Sequence, residues 1–183
     1  MKKIKKTSIY AIILLIFSLV TIFFSTYKLF YAIAHPIKYK NIIYANSTKN
    51  IPPYLIASVI NVESRYDKNA ESKKGAIGLM QIKQSTADYM IDIYKIDKNT
   101  NQNLFNPTTN IRLGSLYLNY LYKKFGDITL VICAYNAGET IVRNWTKNSE
   151  IYSNGKLNYI PYFETKNYLK KVNENIEFYK KYI

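Results

Sequence analysis

The sequence holds one cysteine, Cys133, and one histidine, His35. A lone cysteine excludes an internal disulfide, and its place in the apolar run LVICAY marks a buried small hydrophobe rather than a reactive thiol. A lone histidine leaves no material for a histidine-based triad or a zinc centre, so no metal and no cofactor are expected. Acid is scarce as well. Only 12 Asp and Glu face 26 Lys and Arg, and no acid precedes Glu63.

What is present is enough for a packed core: 183 residues with 48% apolar content allow one ordinary domain and an appendage. The appendage is N-terminal. Lys2, Lys3, Lys5 and Lys6 form a short basic tail (residues 1–6), followed by an uncharged run from Thr7 to Tyr27 dominated by Ile, Leu, Phe and Val. A bilayer core of about 30 Å needs about 20 helical residues, so this run has the length of a membrane span. The rival is a cleavable signal ending at Ala32-Ile33-Ala34, but a signal's apolar region is about 7–15 residues. An uncleaved, single-pass anchor is expected. The lysines hold the N-terminus in the cytoplasm, which places the rest outside the cell membrane. A polar, Tyr-rich stretch over 28–49 then reads as a tether.

Setting the four lysines aside leaves 22 basic against 12 acidic residues, so the exported part is strongly cationic. Its partner is expected to be anionic: membrane headgroups or a wall polymer. Nucleic acid is disfavoured, because no basic and aromatic residues alternate as a binding motif and the anchor faces outward.

Helical punctuation dominates residues 50–183. Pro52 and Pro53 open a helix over LIASVINVES, and Ser85 with Asp88 reads as a capping box for a helix through about Ile96. Asn106 and Pro107 read as N-cap and first turn of a long helix, with Ile111, Leu118 and Leu121 on one stripe and Gly126 as its stop. Asp127 caps the next helix, which Gly138 ends. Leu169, Val172, Ile176 and Tyr179 form the stripe of a last one after Pro161. The fold class is mainly α.

Glu63 sits at the end of an apolar helix, with Ile60, Val59 and Ile56 at i−3, i−4 and i−7. Burial there disfavours the charged carboxylate, and an acid still protonated near neutral pH can donate a proton to a leaving oxygen. Periodicity alone leaves open a helix-end acid paired with Arg65 or turned to solvent. Two later segments bear on the choice. In GAIGLMQI, Gly75 and Gly78 permit close backbone approach, Gln81 offers both donor and acceptor, and Met80 gives an adaptable apolar surface. In AYNAG, Tyr135 and Asn136 close an apolar helix.

Taken in order, ESRYDKNAESKKGAIGLMQI, NLFNPTTNIRLGSLYLNYLYKKFG, AYNAG and IPYFETKNYL resemble the lytic transglycosylases with a lysozyme-like domain, of the soluble lytic transglycosylase type. The likeness runs from about Ile51 to Val172. It implies a lysozyme-like helical fold and cleavage of the β-1,4 bond between N-acetylmuramic acid and N-acetylglucosamine in peptidoglycan glycan strands, leaving 1,6-anhydromuramyl ends. By the same resemblance Glu63 matches the single catalytic acid and base and Ser64 the serine hydrogen-bonded near it. Met80 and Gln81 match cleft residues beside the scissile bond, Tyr135 and Asn136 residues flanking the acid, and Tyr168 the tyrosine that closes the site. Gln84 stands where the family often has proline, and Glu139 and Thr140 where it often has Pro-Gly. Such chemistry needs no second carboxylate. A goose-type muramidase would need one, with Asp67, Glu71 or Asp88 available, and a catalytically silent wall-binding module would need none.

Overall fold

The computed structural model describes residues 6–97 and 103–183. Lys2, Lys3 and Lys5 of the basic tail therefore lie outside the described residues. The chain forms two compact units, Met1–Pro36 and Ile37–Ile183.

Among its described residues the first unit contains one helix, α1 (Lys6–Ala34). Its segment Ile9–Tyr31 is 23 residues with mean hydropathy 2.4, long and apolar enough to cross a membrane. Apolar side chains are exposed right round it, Phe17, Phe23 and Phe30 among them. A helix apolar on every face is stable only when something apolar surrounds it. The helix also continues past Tyr27, into residues expected to be tether.

The second unit is mainly α, as expected. Its core helix is α3 (Pro53–Ser64), which starts where Pro53 can occupy the first turn without losing a hydrogen bond. Every residue from Leu55 to Asn61 is buried, so α3 is enclosed on all sides rather than amphipathic. The 20-residue α8 (Phe163–Tyr182) packs along it through Val172, Ile176 and Tyr179, three of the four residues of the expected stripe. Between them in sequence come α4 (Gln84–Ile93), α5 (Pro107–Phe125) and α6 (Ile128–Ala137), with α5 and α8 both packed on α6. Ile111, Leu118 and Leu121 of α5 are wholly buried. Each such side chain contributes about 1.5–3 kcal/mol on leaving water.

The caps of α5 and α6 agree with the sequence. The Asn106 side chain accepts from the amides of Thr108 and Thr109, and that of Asp127 from Leu130. Gly126 ends α5 at φ 67°, a left-handed conformation that costs glycine little.

Four features differ from expectation. Residues 37–49 are not a tether: α2 (Lys40–Ala45) buries Ile43 in the core, and six residues are too few to show a helical period. Ser85 lies inside α4 and caps nothing; Lys83 holds the N-cap position, and Asp88 instead accepts from Gln84 Nε2 at 2.8 Å. α4 ends at Ile93, with Tyr94 as its C-cap. After Gly138 the chain starts a further helix, α7 (Glu139–Lys147), held by buried Val142 and Trp145. Two small antiparallel hairpins complete the unit, β1–β2 (Ala76–Ile77 with Ile82–Lys83) and β3–β4 (Tyr152–Ser153 with Lys156–Leu157).

Candidate active site

Glu63 stands on the last turn of α3, partly buried, beside a cleft of about 510 Å³. The cleft is walled by the β1–β2 hairpin, the C-terminal turn of α6 and the first turn of α8, with Gln81, Tyr117, Tyr135, Asn136 and Glu164 among its lining residues. Burial pushes the Glu63 carboxyl from its ordinary value up to about 7, and a hydrogen bond from Tyr168 opposes that rise. The Tyr168 hydroxyl donates to Glu63 Oε1 at 2.6 Å. Among the described residues no ion pair joins Glu63 to Arg65, which is exposed and sits in the left-handed C-cap position at φ 52°.

The other residues named from the sequence fall into two groups. Gln81, Tyr135 and Asn136 line the cleft. Gln81 does so with one half of its amide already engaged: Nε2 donates to the carbonyls of Ala70 and Gly78, leaving Oε1 as the group open to a ligand. Asn136 Oδ1 accepts from Thr165 Oγ1 at 2.8 Å, which leaves its Nδ2 open in turn. Tyr135 donates its hydroxyl proton to the Met80 carbonyl at 2.8 Å, bracing the wall opposite.

Ser64 and Met80 form the second group and do not line the cleft. Ser64 Oγ donates to the Leu79 carbonyl at 2.8 Å, tying the end of α3 to the loop that carries Gln81. The Met80 side chain is wholly buried and packs against Gly114 so closely that a Cβ there would overlap its sulfur. The structure gives Met80 a supporting place through its backbone and core packing, not the apolar cleft surface expected of it. The Tyr135 and Tyr168 hydroxyls are both held well above the ordinary tyrosine range, by burial first and by the nearby Glu63 charge second. Both therefore act as hydrogen-bond donors at any working pH.

Sequence reasoning passed over Asn110, which organises the loop. This fully buried asparagine accepts from the Met80 amide at 2.7 Å and donates to the carbonyls of Ile77 and Leu104 at 2.8 Å each. The sequence carries no plain signal for it, since Asn110 stands among Thr108, Thr109 and Arg112 at the polar start of α5. Gly78 fits under it only because it has no Cβ, since one would strike the Asn110 amide and the Leu104 carbonyl. Glu164 was also passed over as a cleft acid. Asp67, Glu71 and Asp88, the carboxylates weighed for a hydrolase, are all exposed and none lines the cleft.

The sequence model of the family described as "Transglycosylase SLT domain" matches residues 40–158. This chain belongs to that family. Among relatives of the SLT domain, a soluble lytic murein transglycosylase of Escherichia coli strain K12 is 36% identical over 130 residues, covering 69% of this chain and 20% of that protein. A membrane-bound lytic murein transglycosylase E of Buchnera aphidicola is 32% identical over 106 residues, covering 51% of this chain and 47% of its own length. The crystal structure of the 70-kDa soluble lytic transglycosylase of Escherichia coli superposes with a TM-score of 0.72 at 30% identity, over 81% of this chain and 25% of that one. The fold is thus lysozyme-like. This chain spans about a fifth of the first relative's length. The family match stops before α8, yet α8 supplies the Tyr168 hydroxyl that meets Glu63 and the Glu164 that lines the cleft, both from beyond the matched segment.

Proposed function

We propose that the chain is a membrane-anchored lytic transglycosylase that cuts the β-1,4 bond between N-acetylmuramic acid and N-acetylglucosamine in peptidoglycan. The observation that carries this reading is Glu63: a carboxyl raised to about 7, hydrogen-bonded by Tyr168 and open to a cleft of saccharide size. At that value the group is available as an acid at neutral pH and competent as a base once ionised. Glu63 protonates the glycosidic oxygen, the substrate's own acetamido group stabilises the cation-like carbon, and the Glu63 carboxylate then removes the proton of the muramyl 6-hydroxyl. The hydroxyl closes on the anomeric carbon, giving a 1,6-anhydro ring without consuming water. Tyr168 holds the carboxyl in place and stabilises its anionic form between the two steps. Gln81 Oε1 and Asn136 Nδ2 are placed to receive acetamido or hydroxyl groups. The lytic murein transglycosylase names of the relatives support the same chemistry.

Anchoring rests on α1 and on the likeness to a membrane-bound relative. In this reading the N-terminus is cytoplasmic and the SLT domain faces the wall.

A hydrolase of the same bond is the second reading, because Glu164 brings another carboxylate to the cleft. Fragment masses separate the two, anhydro ends being lighter by one water. Full-length protein in detergent, given purified peptidoglycan, is expected to release anhydro ends and to lose roughly 10²–10⁴-fold of its rate on Glu63→Gln. Reducing ends alone, or activity that survives Glu63→Gln, would overturn the proposal.

A further inference from the structure

The cleft wall carries two cations that the proposed chemistry does not use. Lys74 and Lys83 both line the cavity beside Glu63. They reach one wall because of the hairpin register: Lys83 pairs with Ala76, two residues after Lys74, so folding β1 on β2 brings the two lysines to the same end. Among the described residues neither is ion-paired. Lys74 also borders a neighbouring lobe of about 500 Å³, which it shares with Asn136, Pro161, Tyr162, Phe163 and Glu164. Phe163 is 78% exposed there, an unusually bare aromatic at the rim.

Sugar hydroxyls and acetamido oxygens offer these two exposed ammonium groups only neutral acceptors. A carboxylate offers a charged one, through charge-assisted hydrogen bonds roughly twice as strong as neutral ones. The lobe beyond Lys74 offers an apolar rim and room for a branch leaving the sugar chain.

We infer that Lys74 and Lys83 form a subsite for carboxylates on the peptide branches of the glycan, so that the enzyme selects strands bearing acidic, unamidated peptides over strands whose carboxylates are amidated. The inference rests on the proposed function for the identity of the strand, but selection is read in binding and needs no turnover.

The test uses full-length protein in detergent carrying Glu63→Gln, so that nothing is cut, and labelled glycan strands of one length in three forms: peptides with free carboxylates, the same peptides amidated, and peptide removed with the lactyl carboxylate it frees on each muramic acid capped as an amide. Binding to the first is expected to be about ten-fold tighter than to the other two, a ratio typical of one charge-assisted contact. Adding Lys74→Gln and Lys83→Gln together should bring the three within about two-fold of one another at an unchanged melting temperature. Lys68→Gln with Lys73→Gln, exposed lysines outside the cleft, should leave the preference intact. Equal binding of the three strands by the parent, survival of the preference in the Lys74/Lys83 variant, or equal erosion by the Lys68/Lys73 variant would each overturn the inference. Failure of the proposed function appears separately, as absence of anhydro ends with unmodified protein.

Discussion

A carboxyl at about 7 is roughly half protonated at neutral pH, and that single property couples rate to stability at Glu63. Burial raises the folded-state value above the unfolded 4.5, so the folded protein holds the extra proton between those values. Its stabilising effect is fully present below about 4.5 and is lost as pH rises through 7. A shift of this size corresponds to about 3 kcal/mol at high pH. Glu63→Gln removes the buried charge, so the variant is expected to melt higher than the parent at pH 8 and together with it near pH 4. Equal melting temperatures at both pH values would mean that Glu63 is not buried as described. Tyr168 works in the opposite sense, since its hydrogen bond lowers the Glu63 value. Tyr168→Phe should therefore carry the descending limb of the pH–rate profile to higher pH while lowering the maximum. A maximum that falls with the limb fixed in place would show that the hydroxyl positions substrate instead.

Elements supply what single residues cannot. The caps of α5 and α6 were legible from sequence because each is a local bargain: Asn106 and Asp127 satisfy amides two or three residues away, and Gly126 adopts an angle other residues resist. The apolar neighbours of Glu63 within two turns left its burial open, and the contact that holds it comes from distant Tyr168. Nor was the loop that carries Gln81 legible. Its shape depends on Asn110, 30 residues from the Met80 amide it binds, and on Gly114 admitting the Met80 side chain. Periodicity cannot report such contacts, and so Met80 read as a cleft residue when its side chain belongs to the core. α2 was missed because six residues hold too little pattern and Ile43 alone fixes it in the core, whereas α7, packed on its neighbour α6, lay hidden behind Gly138, which read as a stop. Asn110→Ala tests this view of the loop. It leaves the Met80 amide and two carbonyls without partners, at about 1–3 kcal/mol each where water cannot enter. The expected outcome is a melting temperature lowered by many degrees, with residual activity at low temperature falling more steeply than the folded fraction. Loss of stability without that extra loss of rate would separate Asn110 from the site.

At the scale of the whole chain, the question is what α1 does once the protein is made. Tyr10 and Tyr31 stand near the two ends of the apolar stretch, 21 residues apart, which at 1.5 Å per residue is about 32 Å. That matches a bilayer core of about 30 Å, with tyrosines at the depth where their rings favour the interface. Tyr27 and Tyr31 also stack on one face, ring centroids 5.5 Å apart, with His35 against Tyr31 at 4.7 Å, which gives that end a further polar-tipped aromatic face. A retained helix of this kind keeps a cationic SLT domain close to the membrane and brings it to the wall from one side. A cleaved helix would release the same domain to diffuse, and the Ala32-Ile33-Ala34 sequence would be the point of cleavage. N-terminal sequencing of the protein recovered from cell membranes decides between them. Retention of residues upstream of Tyr10 is expected, together with extraction by detergent but not by high salt, since burial of some twenty apolar residues is insensitive to screening. A mature chain beginning after Ala34, or one washed from membranes by salt, would remove the anchor from the proposed function.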